Sequence, residues 1–416
     1  MNPALGPALV LVALASGTPE SVRARNTERA RPARQQLLRK GFTNCGGNVE
    51  LKPGDCEEIH SPNFPNKYNR NARCLWKFTT HPPNTPITIC CDVFQLQKSL
   101  RCMKDNVIFT DGEDKKKLCG ERLNLAWQTH TGVLNVSFKS NSFHQNKGFN
   151  CTVCASDSPA TSPYCTCGMK NNGRRIIGGA PAMVRQYPWH VGITKELKKI
   201  PFCGGSIISN RWILTAAHCG VRVNDIVIVG AHDWCNCRPP HMRIPVKQVV
   251  LHKDYNAKTY KNDIALLELS QEIPFPADNS IAPICLPDRP LDDWQEVDAI
   301  ATGWGSINRL GIRPCVLHHV FIKTQTLPDC LATWPGEIFD SMFCAGVNVK
   351  GTCSGDSGGP LFTNEEPCVQ FGVTSLVAKL CDRPQIYTRV FKFVPWIKEA
   401  CGDSVTCAPN LPMGIA

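Results

Sequence analysis

The chain lacks any apolar run of the roughly 18 residues that a membrane-crossing helix needs. Its one clear apolar stretch, from Ala8 to Ala15, is far shorter, so no membrane span is expected. No cysteine and histidine spacing of the zinc-finger kind is present, and nothing reads as a nucleic-acid-binding module. Neither a metal-stapled fold nor a nucleic-acid partner follows, and no cofactor is implied. Helical periodicity is scarce too. The one convincing helix lies near the C terminus, at Val394-Pro395-Trp396-Ile397-Lys398-Glu399. Acidic residues are in the minority, 35 against 46 lysines and arginines, for a net charge of +11.

What is abundant is cysteine. The count of 24 is even and belongs to an oxidising compartment, where thiols become disulfides. The N terminus agrees, because Ala13-Leu14-Ala15 ends the apolar stretch as a small-x-small cleavage site. A signal peptide over 1–15 and a secreted, extracellular protein are expected. The excess positive charge is concentrated between Thr18 and Lys40, with seven basic residues and two acids among few apolar ones. Residues 16–44 therefore read as a disordered basic arm or propeptide, mostly a solvated segment and secondarily a binder of polyanions. At 416 residues, two or three domains are expected.

The chemistry centres on Cys353-Ser354-Gly355-Asp356-Ser357-Gly358-Gly359-Pro360. A nucleophilic serine needs open space around its hydroxyl and backbone N–H groups free to point at a developing oxyanion, and glycines supply both. Serine also needs a histidine base and an acid to orient that base. His218 stands in Leu214-Thr215-Ala216-Ala217-His218-Cys219, and Asp263 in Asn262-Asp263-Ile264-Ala265-Leu266-Leu267.

With these motifs in the order His218, Asp263, Ser357, the segment from Ile176 to Cys401 resembles the trypsin/chymotrypsin family. The resemblance implies a double β-barrel of two six-stranded antiparallel barrels with a C-terminal helix. It implies His218, Asp263 and Ser357 as catalytic triad, with the N–H groups of Gly355 and Ser357 as oxyanion hole. Ser375 is expected to hydrogen-bond near Asp263 and to begin the strand that holds the substrate backbone. The family's disulfides would be Cys203–Cys219, Cys330–Cys344 and Cys353–Cys381, plus Cys285 with Cys167 or Cys165, which would keep the N-terminal part tethered. Activation is expected by a protease that cuts after Arg175, in Arg174-Arg175-Ile176-Ile177-Gly178-Gly179. The new α-amino group of Ile176 would then pair with Asp356, because a buried charge needs its partner. Serpin-type inhibitors are plausible partners, and protein substrates follow from the activity.

The specificity pocket departs from trypsin. Gly351 stands where trypsin-like enzymes carry an aspartate, and the wall positions Thr352, Val377 and Gln385 supply no carboxylate. Leu376 replaces a usual tryptophan. A small aliphatic residue before the scissile bond (P1) is expected.

Upstream, short strand-like runs such as Ile87-Thr88-Ile89 and Val107-Ile108-Phe109 alternate with turn clusters. The landmarks Cys45-Gly46-Gly47, Ser61-Pro62-Asn63-Phe64-Pro65, Tyr68, Cys74-Leu75-Trp76, Cys102 to Asp105, Asp111-Gly112, Leu118-Cys119-Gly120 and Gly148-Phe149 together resemble a CUB domain, an extracellular β-sandwich. That resemblance implies disulfides Cys45–Cys74 and Cys102–Cys119, and a protein or polyanion ligand. Calcium-binding members use three acidic positions, and here these are Gln97, Asp105 and Asn141, so a tight calcium site is not expected. Asn135 and Asn150 open glycosylation sequons. Cys56, Cys90, Cys91, Cys151, Cys154, Cys165, Cys235, Cys237, Cys315, Cys368, Cys401 and Cys407 are left without assigned partners.

The whole reads as an all-β chain, a CUB β-sandwich followed by a chymotrypsin-like double barrel. After the signal peptide (1–15) and arm (16–44) come the CUB domain (45–154), a linker and activation segment (155–175), the protease domain (176–402) and a tail (403–416). CUB-bearing serine proteases of arthropods, of venom and haemolymph types, share this architecture. The alternative from another class is a catalytically weak homologue that acts as a binding or cofactor protein.

Overall fold

The computed structural model describes residues 45–123, 125–129, 131–156, 167–171, 180–236, 242–276, 278–288, 296–307, 311–346, 355–376 and 383–402. The expected signal peptide, basic arm, activation cleavage and C-terminal tail lie outside them, as do Cys165, Cys237, Gly351, Thr352, Cys353, Val377, Cys381 and Cys407.

The N-terminal domain is a sandwich of a five-stranded and a four-stranded sheet. Strand Arg73–Thr80 shows how the sequence builds it. Its residues alternate exposed and buried, sending Cys74, Trp76, Phe78 and Thr80 inward and Arg73, Leu75 and Lys77 outward. Strand Val133–Lys139 does the same with Leu134, Val136 and Phe138. This period of two is what a sheet with one solvated face requires. Between the sheets, Phe149 meets Trp76 and Phe138 edge to face, with ring centroids 5.8 and 5.4 Å apart.

Disulfides Cys45–Cys74 and Cys102–Cys119 are present. Cys56–Cys154 and Cys91–Cys151 join them. Each of these two links register partners on neighbouring antiparallel strands, Cys56 opposite Cys154 and Cys91 opposite Cys151. Cys90 is disulfide-bonded as well.

The C-terminal region opens with a closed six-stranded barrel, in the order His190–Thr194, Cys203–Ile207, Trp212–Thr215, Ala265–Leu269, Met242–Leu251, Ile226–Val229. The second barrel runs His318–Lys323, Asp298–Gly303, Pro360–Thr363, Gln370–Leu376, Gln385–Arg389, Met342–Ala345. Its first and last strands meet where Gln325 N–H donates to Cys344 O and Gly346 N–H to Lys323 O, both at 2.9 Å. Trp189, fully buried, stands edge-on to Phe362 at 5.2 Å and so ties the two barrels together. Helix Val394–Cys401 closes the domain as expected. A second helix, Leu327–Thr333, corrects the expectation of one. Thr326 caps it through the Asp329 N–H, and Pro328 starts its first turn, a local signal too short to show periodicity.

The N-terminal sandwich packs on the loop that joins the first two strands of the first barrel. Leu197 at the loop's tip packs against the core of the sandwich. Lys199 is 4% exposed, and its Nζ reaches Asp92 at 2.9 Å and the Cys235 carbonyl at 3.4 Å. Gln128 Oε1 accepts from the Arg243 N–H at 2.6 Å, and Lys116 pairs with Glu196 at 2.7 Å.

Burial also sets an acid limit. His190 lies in the first barrel with its Nδ1 2.9 Å from Thr302 Oγ1, and burial pushes its pKa down from 6.5 to about 3. The folded chain keeps this ring neutral, whereas the unfolded chain protonates it below pH 6.5. Its stabilising contribution is therefore present above that pH and is lost as pH falls from 6.5 towards 3. Denaturation midpoints measured from pH 7 to pH 4 are expected to fall, and less steeply in a His190→Gln variant. Equal slopes in the two proteins would remove His190 as a cause.

Candidate active site

His218 sits on a single 3₁₀ turn, Ala217–Cys219, directly after strand Trp212–Thr215. The Cys203–Cys219 disulfide anchors that turn to the neighbouring strand. Asp263 lies just before strand Ala265–Leu269, after Asn262 in a left-handed conformation (φ 56°) whose side chain donates to Asp254 O at 3.0 Å. Asparagine tolerates that conformation through such local hydrogen bonding.

The Asp263 carboxylate is fully buried. Oδ1 accepts from the His218 backbone N–H at 2.8 Å. Oδ2 lies 2.6 Å from His218 Nδ1 and accepts from Ser375 Oγ at 2.6 Å. Thr388 Oγ1 donates to the Asp263 carbonyl at 2.8 Å. With Nδ1 directed at a carboxylate, the ring carries its proton there and leaves Nε2 as the basic nitrogen. Tyr260 stands edge-on to the ring at 5.5 Å.

Ser357 reaches this corner through its backbone. Its carbonyl accepts from Gly204 N–H at 2.8 Å and lies 3.7 Å from Sγ of Cys219, the residue after His218. Gly355 has φ +104°, a conformation that side-chain-bearing residues rarely adopt. Asp356, between them, is 9% exposed and accepts from Gly305 N–H at 2.7 Å. The arrangement offers an oriented imidazole and a serine framed by small residues, the ingredients of acyl transfer.

Of the positions expected to line a specificity pocket, Ser375, Leu376 and Gln385 fall in the described residues. Gln385 is 1% exposed, its Nε2 donates to Arg383 O at 2.5 Å, and its buried Oε1 has no hydrogen-bond partner among the described residues. The sequence reading took Gln385 as a wall position without a carboxylate, and the structure makes it a buried amide at that wall. Arg175 and Ile176 lie outside the described residues. Residues 167–171 strap onto the double-barrel domain. Cys167 pairs with Cys285, which decides between Cys167 and Cys165. Lys170 Nζ donates to Asn364 O at 2.6 Å. Cys330–Cys344 is present, and Cys235–Cys315 is an additional bridge. Cys368 is a buried thiol whose pKa burial pushes up to about 12.

The three positions that correspond to a CUB calcium site do come together. Asp105 accepts from Tyr68 Oη at 2.5 Å and from the Asn141 backbone N–H at 2.7 Å, while Asn141 Nδ2 donates to Gln97 Oε1 at 2.7 Å. Both carboxylate oxygens are already engaged by protein donors, which suits a hydrogen-bonded network better than a hard cation. In the protease domain, two groupings of candidate ligand atoms occur among the described residues, Cys203/His218/Cys219 and Asp233/Cys235/Cys315. All of their sulfurs are in disulfides, so they offer no thiolate. Asn135 and Asn150 lie half-buried on strands Val133–Lys139 and Gly148–Ala155.

Comparison with known proteins agrees with the geometry. The trypsin family profile matches residues 176–397, and the CUB domain profile matches residues 45–153. Venom serine protease 34 of Apis mellifera is 27% identical over 380 residues, covering 87% of this chain and 89% of the bee protein. Ovochymase of Halocynthia roretzi is 29% identical over 384 residues, covering 85% of this chain and 24% of that much longer protein.

Proposed function

The chain belongs to the trypsin family of serine proteases, with a CUB domain ahead of the protease domain, and from this we propose that it is a secreted zymogen endopeptidase acting on extracellular proteins. The observation that carries the reading is the buried Asp263 carboxylate, held by the His218 backbone, the His218 ring and Ser375 at 2.6–2.8 Å.

In this reading His218 Nε2 takes the Ser357 proton as the hydroxyl attacks a peptide carbonyl. Asp263 fixes the ring's tautomer and stabilises the imidazolium. The N–H groups of Gly355 and Ser357 receive the oxyanion. His218 then protonates the leaving amine, and water repeats the sequence on the acyl-enzyme.

Cleavage after Arg175 frees the Ile176 amine to pair with Asp356 and to set the Gly355–Ser357 turn. Because Cys167 is bound to Cys285, that cut leaves the CUB domain attached. The CUB domain then serves as a permanent targeting module for protein or polyanionic ligands. Gly351, Val377 and Gln385 leave a basic P1 side chain without a carboxylate, so small aliphatic P1 residues are preferred.

The test is to treat the full secreted chain with immobilised trypsin, sequence the new N terminus and profile a P1-varied peptide library. Cleavage after Arg175, followed by hydrolysis after small aliphatic residues that is absent in Ser357→Ala, is the expected result. An Arg175→Gln chain is expected to stay inactive under the same treatment. Full activity of the Arg175→Gln chain would overturn the zymogen assignment, and turnover mainly after arginine or lysine the specificity assignment.

A further inference from the structure

A guanidinium covers the glycine whose N–H is assigned to the oxyanion. A Cβ placed on Gly355 would fall 2.8 Å from Arg313 Cζ, 2.9 Å from Nη2 and 3.1 Å from Nε. Arg313 is half-buried, and its Nη1 donates to Pro201 O at 2.7 Å. Among the described residues it makes no ion pair, and most of its five N–H donors have no acceptor.

The position is built. Ile307 N–H donates to the carbonyl of Ile312, the residue before Arg313, at 3.0 Å. Trp234 Nε1 donates to Pro314 O at 2.9 Å, and Trp234 N–H to Cys315 O at 3.1 Å. Cys315 is in turn bridged to Cys235. Pro201, the acceptor, ends the loop on which the CUB domain packs through Leu197 and Lys199. The cation is therefore held from both sides, by the Trp234 anchor and by the docked loop.

Its side of the site follows from the chemistry. In the proteolytic reading above, the acyl half of a substrate lies along Ser375 and Leu376. The leaving amine must face His218, hence the wall made by the Cys203–Cys219 bridge. Pro201 precedes Cys203 by two residues, and Arg313 is bonded to Pro201, so the guanidinium borders the leaving-group half. Fixed cations with spare donors bind carboxylates in charge-assisted hydrogen bonds.

We propose that Arg313 selects substrates that carry an aspartate or glutamate at the first or second position after the scissile bond. The proposal rests on the proteolytic reading above and assigns that enzyme a substrate class, proteins with an acidic leaving-group side.

The test uses the full chain cleaved after Arg175 by immobilised trypsin. Internally quenched peptides share one cleavable sequence and carry Asp, Ala or Lys at the first or second position after the cut. The quantity read is the ratio of kcat/KM for Asp over Lys within each protein, so a general loss of activity cancels. The wild-type ratio is expected to be about 10 or more at low salt and to shrink as salt rises. Arg313→Gln, which keeps a donor for Pro201, should bring the ratio to about 1, Arg313→Lys should retain part of it, and Arg313→Glu should invert it. A wild-type ratio near 1, or a ratio that stays the same in Arg313→Gln and Arg313→Glu, would reduce Arg313 to a tether for Pro201 and overturn the proposal. Cleavage without a charge preference would leave the proteolytic reading standing. Absence of cleavage of every peptide, together with failure of a serine-directed probe to label Ser357, would remove both.

Discussion

Asp263→Asn is expected to lower kcat by about 10⁴-fold while leaving the chain folded. The carboxylate is surrounded by donors, namely the His218 N–H and Nδ1 and the Ser375 hydroxyl. A carboxylate accepts at both oxygens, whereas an asparagine presents one oxygen and one NH₂. If the NH₂ faces His218 Nδ1, the ring must carry its proton on Nε2, and the base that should receive the Ser357 proton is blocked. If the NH₂ faces the His218 backbone N–H, two donors meet and the turn Ala217–Cys219 is pushed away. Either way the serine loses its base. Rates of serine-directed labelling should fall in parallel with peptide turnover, with the thermal midpoint little changed because Cys203–Cys219 still anchors the turn. A loss smaller than about tenfold would mean that the cage around Asp263 is structural and that the base is elsewhere.

The second large effect is expected at glycines far along the chain from any motif serine. Gly303→Ala would place a methyl group 1.9 Å from Oδ1 of Asp356, and Gly305→Ala one 2.3 Å from its Oδ2. No real Cβ sits so close to another heavy atom, so the carboxylate must move. Asp356 lies between the two residues whose N–H groups are assigned to the oxyanion, and it accepts from Gly305 N–H at 2.7 Å. Moving it rotates the Gly355 peptide. Loss of one oxyanion donor costs about 10² to 10³ in kcat, so each variant is expected to lose at least ~100-fold, mainly in kcat. Single-turnover acylation on the activated chain is the direct measurement. Acylation within tenfold of the parent would show that the Asp356 pocket yields without disturbing the hole.

These three variants separate what was readable in the chain from what was not. His218, Asp263 and Ser357 each sit in a run of six to eight distinctive residues, and the chemistry of a nucleophile, a base and an orienting acid could be argued from residue type alone. Ser375 was expected from the family resemblance alone, and the structure places its hydroxyl on Asp263. The strands of both domains followed from short alternating runs, as Arg73–Thr80 illustrates. By contrast, the helix Leu327–Thr333 is two turns long, shorter than the window over which a period of 3.6 can be recognised. Nothing about Gly303 and Gly305 in the sequence says that a carboxylate packs on them, because Asp356 is about fifty positions away along the chain.

The sequence by itself determined that a CUB domain precedes a trypsin-family domain, and it singled out His218, Asp263 and Ser357 as the candidate triad. These depend on motifs whose parts are adjacent in the chain. Tertiary structure decided which distant residues meet. Cys56–Cys154, Cys91–Cys151 and Cys235–Cys315 close loops of 98, 60 and 80 residues, and which cysteines pair depends on strand register and on the loops that meet, not on spacing. The choice of Cys167 for Cys285, the docking of Leu197 and Lys199 on the CUB domain and the guanidinium of Arg313 over Gly355 have the same origin. A contact between segments far apart in the chain is specified by the whole packing of two barrels and a sandwich, and no local run of residues carries it.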